Sequence, residues 1–396
     1  IMSGSARETL FDDIERTDSS PMAYGESVFD FYNRVDRAEW ARVRSELDEW
    51  YSYYPDDDND LRSRFQDPRQ DQHFGAWWEL WVFTFYRHLG YKIAVHPTMP
   101  NGKRPDFVIT RDGKSTYVEC KAMPEKRRSA NEALILDCTN EVKNPDFLLE
   151  LEVDQEGTQT PSCKEIKRQL RYQLELLDAD EVIGDREAGK EFPYFNVGVQ
   201  DWVLTYTAYP VERPHRGARG PLLALPPTPG AMWIDNVGQI RNAVRAKGRK
   251  YAELDKPLED PLIVALNTWW VPFGDDEDEP FEALFGSTAV AYWQGVQPPV
   301  IHAFRRENGY WRRDPPTGTR VSAVLVGHNI SPYRLAAGVP RMLTNPWSRL
   351  PISETDAVTT TTASDDGQRV NTEGTLAIDA LFGLPSDWPL VDKSRR

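Results

Sequence analysis

Hydrophobic and polar positions divide this chain into stretches of different period. The run from Phe74 to Leu89 is apolar almost all round, the mark of a buried helix, and Gly90 supplies its stop. Upstream, residues 26–53 place Phe29, Tyr32 and Val35, then Trp40, Val43, Leu47 and Trp50, at three-to-four spacing. That spacing predicts amphipathic helix, with the aromatics serving a core rather than a base-stacking platform. The stretch from Pro55 to Asp60 breaks it, and residues 6–20 read as a polar entry segment. After Gly90 the pattern shortens to strands near 92–96, 105–110 and 115–121. Residues 122–160 carry mixed signals and many charges, and predict loops with a short helix.

The second half alternates in the same way. Ile166, Leu170, Leu174 and Leu177 share one face of a helix over 164–177. A strand is predicted at 202–207, a Pro/Gly-rich loop at 210–230, and a helix with a basic face at 239–254, weakened by Gly248. An apolar strand follows at 262–267, a short helix at 281–285 and a strand at 321–326. Residues 353–375, rich in Thr, Ser, Asp and Gly, read as a flexible linker. The tail at 376–390 has apolar residues to dock or to bind a partner. Strands alternating with helices predict an α/β layer architecture, and an internal hairpin makes the sheet mixed.

That hairpin carries the candidate chemistry. Asp112-Gly113 separates two β-rich runs, a strong turn signal. With a two-residue turn, Arg111 faces Lys114 and Asp106 faces Glu119, their Cβ atoms about 4.5–5.5 Å apart. A three-residue loop with a bulge would shift this by one. Side chains alternate along a strand, so Lys121 shares the face of Glu119, while Phe107, Ile109, Val118 and Cys120 point into a core. Opposed carboxylates repel unless a cation or a proton lies between them. A divalent metal suits such hard oxygens, and an ammonium two residues on would orient a water or offset a developing charge. The plainer alternative is a solvated hairpin face. Glu79 is the only acid in the apolar helix, and a buried carboxylate must be paired, protonated or metal-bound. A structural salt bridge, to Arg87 or to a distant arginine, is its alternative.

Glu79 on a helix, Gly90-Tyr91, a strand, a Pro-Asn-Gly-Lys loop, Pro105-Asp106 and Glu119-x-Lys121 follow one another in order. This arrangement resembles the PD-(D/E)xK nuclease superfamily over residues 74–121. The resemblance implies a restriction-endonuclease-like core within the mixed α/β sheet, with N-terminal helical and C-terminal extensions. The corresponding domain plan is a helical extension at 1–70, a nuclease-like domain with insertions at 71–350, and a linker and tail at 351–396. It implies Mg²⁺, or Mn²⁺ in its place, held by Asp106, Glu119 and the Cys120 backbone carbonyl, with Glu79 in support. Lys121 would position or activate the attacking water. Gln169 and Tyr172 echo a Gln and Tyr that RecB-like members carry on a later helix, but with one residue fewer between them. Such nucleases are common in defence against foreign DNA, which extends the expectation to a restriction-like context.

Net charge changes the picture of partners. The chain carries −15, with an isoelectric point near 5.0, which argues against indiscriminate nucleic-acid binding. The charge is segregated, however. Residues 103–128 hold eight Lys/Arg against four Asp/Glu, and residues 241–250 hold five cations and no acid. Asp48 to Asp60 holds six acids and no base, and Asp275 to Glu279 is a second acidic block. Lys103, Arg104, Lys126, Arg127, Arg128, Arg245 and Lys247 are therefore candidate phosphate contacts, against the alternative of solvated charge. The expected partner is DNA, with RNA left open, together with a protein partner or a second copy. Cys120, Cys138 and Cys163 show neither metal nor disulfide spacing, which predicts a reducing cytoplasm. No apolar run of ~18 residues predicts a membrane span. No phosphate loop or dinucleotide fingerprint is present, so no nucleotide cofactor is expected. The leading Ile1-Met2-Ser3-Gly4-Ser5 reads as a cloning scar.

Overall fold

The computed structural model describes residues 9–99, 102–124, 128–217, 220–225, 235–251, 257–269, 278–292, 301–335, 338–353, 355–385 and 387–390. In chain order, α1 (Val28–Arg34), α2 (Ala38–Tyr53), α3 (Asp60–Phe65) and α4 (Gln70–His88) precede β1 (Lys92–Val95), β2 (Phe107–Arg111) and β3 (Lys114–Met123). Next come α5 (Ala130–Asn140), β4 (Phe147–Gln155), α6 (Cys163–Glu175), α7 (Ala179–Glu187), β5 (Tyr194–Val199), β6 (Trp202–Pro210) and β7 (Leu223–Leu225). The last part holds α8 (Asn236–Arg249), β8 (Leu262–Thr268), α9 (Asp278–Phe285), β9 (Thr288–Tyr292), β10 (Ile301–Arg305) and β11 (Ala323–His328). It ends with β12 (Arg341–Thr344), β13 (Thr360–Ala363), β14 (Arg369–Thr372) and α10 (Ile378–Phe382). Two compact units result: Ile1–Ser20, Ser27–Glu125 and Ile234–Arg396 form one, Pro21–Glu26 and Lys126–Trp233 the other.

The first unit is built on an eight-stranded mixed sheet in the order β1-β2-β3-β8-β11-β12-β13-β14. The strands β1, β2 and β3 run antiparallel to one another, whereas β3, β8 and β11 are parallel neighbours. The α/β class and the mixed sheet are as the pattern predicts. One face of the sheet carries Phe107, Ile109, Val118 and Cys120 into a core shared with α1, α2 and α4. Tyr117 and, on the parallel neighbours, Leu262, Val264, Leu266, Val324 and Val326 belong to a second core that includes Ile240 and Val244 of α8. Helix α4 is buried on every side from Ala76 to Tyr86, as its apolar run predicts. Two of its indoles find backbone partners there. Trp78 donates to the Ala265 carbonyl at 2.9 Å and Trp77 to the Ile330 carbonyl at 3.2 Å. Trp78, Trp81 and Phe85 stack at 4.9 and 5.1 Å, one helical turn apart.

Segments far apart in the chain complete this core. Leu10, Phe11, Trp50 and Phe65 join it from the N-terminal side, and Ile378 and Phe382 from the tail. Phe382 lies 4.9 Å from Trp50 and 5.7 Å from Trp81, so the tail docks on its own unit. Residues 353–375 correct the linker expectation, because they carry β13 and β14 at the sheet edge. The consecutive β-branched residues Thr360, Thr361 and Thr362 favour a strand despite their polar composition.

His73, in the first turn of α4, is buried among Tyr32, Phe65 and Phe74. Its Nδ1 lies 2.5 Å from the Phe65 carbonyl, and burial pushes its pKa from 6.5 down to about 4. Between those values the unfolded chain binds the proton that the folded one refuses. Stability is therefore present above pH 6.5 and is lost as pH falls to about 4, by about 3 kcal/mol. The drop in urea midpoint from pH 7 to pH 4.5 should be smaller in His73→Phe than in the parent; equal drops would refute the assignment.

The second unit has a four-stranded sheet in the order β5-β6-β4-β7, with α5, α6 and α7. Ile166, Leu170 and Leu174 of α6 pack with Leu149, Leu151, Val197, Leu204 and Tyr206 of the strands. The expectation of loops with a short helix over 122–160 is met by α5 and corrected by the strand β4. Both carry local signals: Ser129 and Glu132 form a capping box, and Phe147, Leu149 and Leu151 alternate with Leu148, Glu150 and Glu152. Cys138 and Cys163 form a disulfide with Cα atoms 5.3 Å apart. This corrects the reading of the cysteines, since folding joins α5 to the start of α6 across a spacing that matches no motif. It also removes the basis for inferring a reducing compartment from them. Among the described residues no helix is long and apolar enough to cross a membrane.

Candidate active site

The hairpin forms in the two-residue register. Asp112 and Gly113 both adopt positive φ, 52° and 77°, as a type I′ turn requires. Arg111 pairs with Lys114, Ile109 with Thr116 and Phe107 with Val118. Asp106 is the residue just before β2, and Glu119 the one just after the last paired rung. The second half of β3 runs beyond its hairpin partner and pairs with β8, Glu119 with Val264 and Lys121 with Leu266. The Asp106 carboxylate takes the amide this overhang leaves open: the Cys120 N–H donates to Asp106 Oδ2 at 2.6 Å. The His96 N–H donates to the Asp106 carbonyl at 3.0 Å, which fixes the backbone from the other side.

Glu119 is 0% exposed. A carboxylate so placed needs charge and hydrogen bonds, and α8 with the residues after it supplies both. Lys247 Nζ lies 2.7 Å from Glu119 Oε2 and 3.3 Å from Asp106 Oδ2, so one ammonium bridges the two acids. Lys250 Nζ lies 2.5 Å from Glu119 Oε1, and the Tyr251 hydroxyl donates to that same oxygen. Burial works against the Lys247 charge, but Asp106 and Glu119 outweigh it and hold its pKa above the ordinary lysine value. Burial and the neighbouring Glu119 push the Tyr251 phenol up, which keeps it a donor. Gly248 lets α8 pack closely on Tyr310 and Val321: a Cβ there would meet the Tyr310 hydroxyl and lie 3.0 Å from Val321. The glycine that weakens the helix by propensity is required by its packing.

Glu79 faces inward from α4 and is paired with a distant arginine. Arg64 Nη1 and Nη2 reach its two oxygens at 2.9 and 2.6 Å, and Arg64 also meets Asp60 at 2.9 Å. His96 Nε2 stands 3.9 Å from Glu79. Burial, reinforced by the Asp106 charge, raises the Glu79 pKa against the Arg64 bonds. Lys121 is exposed on the Glu119 face of β3, with no hydrogen-bond or ion-pair partner among the described residues.

Three acids, Glu79, Asp106 and Glu119, are thus balanced by three bases, Arg64, Lys247 and Lys250. Among the described residues no group of three or more His, Cys, Asp or Glu side chains is disposed to hold a metal ion. Two carboxylates with water and substrate oxygens are nonetheless a sufficient donor set for Mg²⁺. Asp106 Oδ1 has no hydrogen bond among the described residues, and its Oδ2 and Glu119 Oε2 converge on the one Lys247 ammonium. The pair therefore fits a divalent cation in the place that this ammonium takes. Compared with protein-family models, with curated proteins and with solved structures, the chain matches none.

The basic residues expected to meet phosphates are distributed unevenly. Lys103 and Arg104 are exposed before β2, where Arg104 donates to the His96 carbonyl at 3.0 Å and its own carbonyl accepts from Lys250 at 2.6 Å. Arg245 is half-buried on α8. Lys247 is committed to the acid pair rather than directed outward. Arg128 belongs to the second unit, and Lys126 and Arg127 lie outside the described residues. Gln169 and Tyr172 also belong to the second unit, on α6, where Gln169 donates to the Gly198 carbonyl at 2.9 Å. Sequence reasoning missed Arg64, Lys250 and Tyr251. Arg64 has no local signal, but Lys247, Lys250 and Tyr251 stand three and four residues apart, and helical periodicity puts them on one face.

Proposed function

We propose that this chain is a divalent-cation-dependent nuclease of the PD-(D/E)xK kind that hydrolyses phosphodiester bonds in DNA, in a restriction-like context. The observation that carries the reading is the convergence of Asp106 Oδ2 and Glu119 Oε2 on one cation position, with Lys121 exposed two residues along the same face. The order of a buried helix bearing Glu79, a meander and a parallel neighbour strand also supports a restriction-endonuclease-like core. Lys247 and Tyr251 have the three-residue gap that the resemblance assigns to its helical Gln and Tyr, with Lys in place of Gln.

In this reading Asp106 and Glu119 would hold Mg²⁺, or Mn²⁺ in its place, with the Cys120 carbonyl and Glu79 in support. A cation so held would polarise the scissile phosphate and lower the pKa of a bound water. Asp106 is kept in place by the Cys120 and His96 amides. Lys121 orients the attacking water and offsets charge on the phosphate in the transition state. Lys103, Arg104 and Arg245 extend a positive margin for the nucleic-acid backbone, so binding should weaken with salt. The test is a cleavage assay in Mg²⁺ or Mn²⁺ on linear duplex, circular duplex, single-stranded DNA and RNA. The expected result is cleavage by the parent and none by Asp106→Ala. Equal cleavage by both would end the proposal.

One observation favours a second reading, a non-cleaving nucleic-acid-binding or regulatory module: the three acids are balanced within the chain. Tight DNA binding by a parent that takes up no Mn²⁺ would select it.

A further inference from the structure

Lys247 differs from Glu119, the acid it balances, in having a way out. Glu119 is 0% exposed and is held by Lys250 and Tyr251 as well, whereas the Lys247 side chain is 24% exposed. A lysine stem of this kind can lie along the surface with its ammonium either in the notch or in water. We infer that Lys247 is a displaceable internal cation: its ammonium and a divalent ion compete for the same oxygens of Asp106 and Glu119, so the last turn of α8 sets how tightly the site holds metal. This rests on the reading of Asp106 and Glu119 as a cation site.

The charge balance follows directly. With Lys247 in place, Asp106 and Glu119 are neutralised by Lys247 and Lys250, and there is no surplus to attract an ion. With Lys247 withdrawn, one net negative charge remains on converging oxygens. Lys250 and Tyr251 continue to hold Glu119 Oε1 and leave Oε2 to face the notch. A divalent ion there turns the local charge positive, which suits a phosphodiester monoanion. The displaced ammonium then stands at the surface beside it. Lys247 is a positioning residue in this scheme, since it acts through the two carboxylates.

Calorimetric titration with Mn²⁺ of the full chain tests this, with Lys247→Met, Lys247→Gln and Asp106→Ala alongside. The internal competitor lowers apparent affinity by the fraction of time it occupies the notch. Both Lys247 variants should therefore bind Mn²⁺ roughly tenfold or more tightly than the parent, and Mn²⁺ should raise their melting temperatures further. Asp106→Ala should lose binding. In the parent alone, acylation of Lys247 by an amine-reactive ester, read by mass spectrometry, should speed up as Mn²⁺ is added. Equal affinities in the parent and the Lys247 variants, or an acylation rate indifferent to Mn²⁺, would overturn the competition and leave the proposed function standing. No Mn²⁺ binding in any of them, or binding indifferent to Asp106→Ala, would overturn both.

Discussion

Lys121→Ala is expected to lower the rate of the proposed cleavage by roughly a hundred- to a thousandfold, the usual cost of removing one group aimed at transition-state charge. The melting temperature should not change. Lys121 is exposed and has no ion pair or hydrogen bond among the described residues, so its removal unmakes nothing in the fold. That combination would set Lys121, as the proposed catalytic lysine, apart from Lys247 and Lys250, whose loss also unbalances a buried acid. Substrate affinity should change little, because a single exposed ammonium adds little to a phosphate contact made by several. The measurement is a single-turnover rate in Mg²⁺ alongside a binding titration with Ca²⁺ as a non-catalytic ion. An unchanged rate would remove Lys121 from the chemistry.

The second large effect is on stability. Glu119→Gln keeps the shape of the side chain and removes its charge, leaving Asp106 alone to balance Lys247 and Lys250. Breaking a buried ion pair from one side costs about 3–5 kcal/mol. Lys247 and Lys250 are 24% and 31% exposed in their side chains and can turn partly to water, so about 3 kcal/mol is the expected loss. Thermal or urea unfolding of the first unit reads this directly. A second substitution checks the cause: in Glu119→Gln, replacing Lys247 by Met should cost less than it does in the parent, because the charge it balanced is gone. Additive losses would mean that Glu119 and Lys247 do not act as a pair.

Several elements are legible in the sequence because their signals are local. The hairpin register follows from Asp112-Gly113, since a two-residue turn with positive φ at both positions leaves one pairing for Phe107 to Arg111. The helix at α4 follows from its apolar run, and α6 from Ile166, Leu170 and Leu174. At β13 and β14 composition points to a linker while the β-branched threonines form strand, because Thr suits a pleated edge as well as a polar loop. The disulfide between Cys138 and Cys163 joins residues whose spacing carries no pattern.

By itself, then, the chain determined the α/β class, the hairpin register that leaves Asp106 and Glu119 one step beyond its last paired rung, and the face that Lys121 shares with Glu119. These depend on periods of two and 3.6 residues and on turn geometry, which neighbouring residues decide. What neutralises the acids was decided only in three dimensions. Arg64 comes to Glu79 from α3, and Lys247, Lys250 and Tyr251 come to Glu119 from α8 and its C-terminal end, more than a hundred residues further along. Burial creates the demand for a counter-charge, and packing alone chooses which distant side chain meets it.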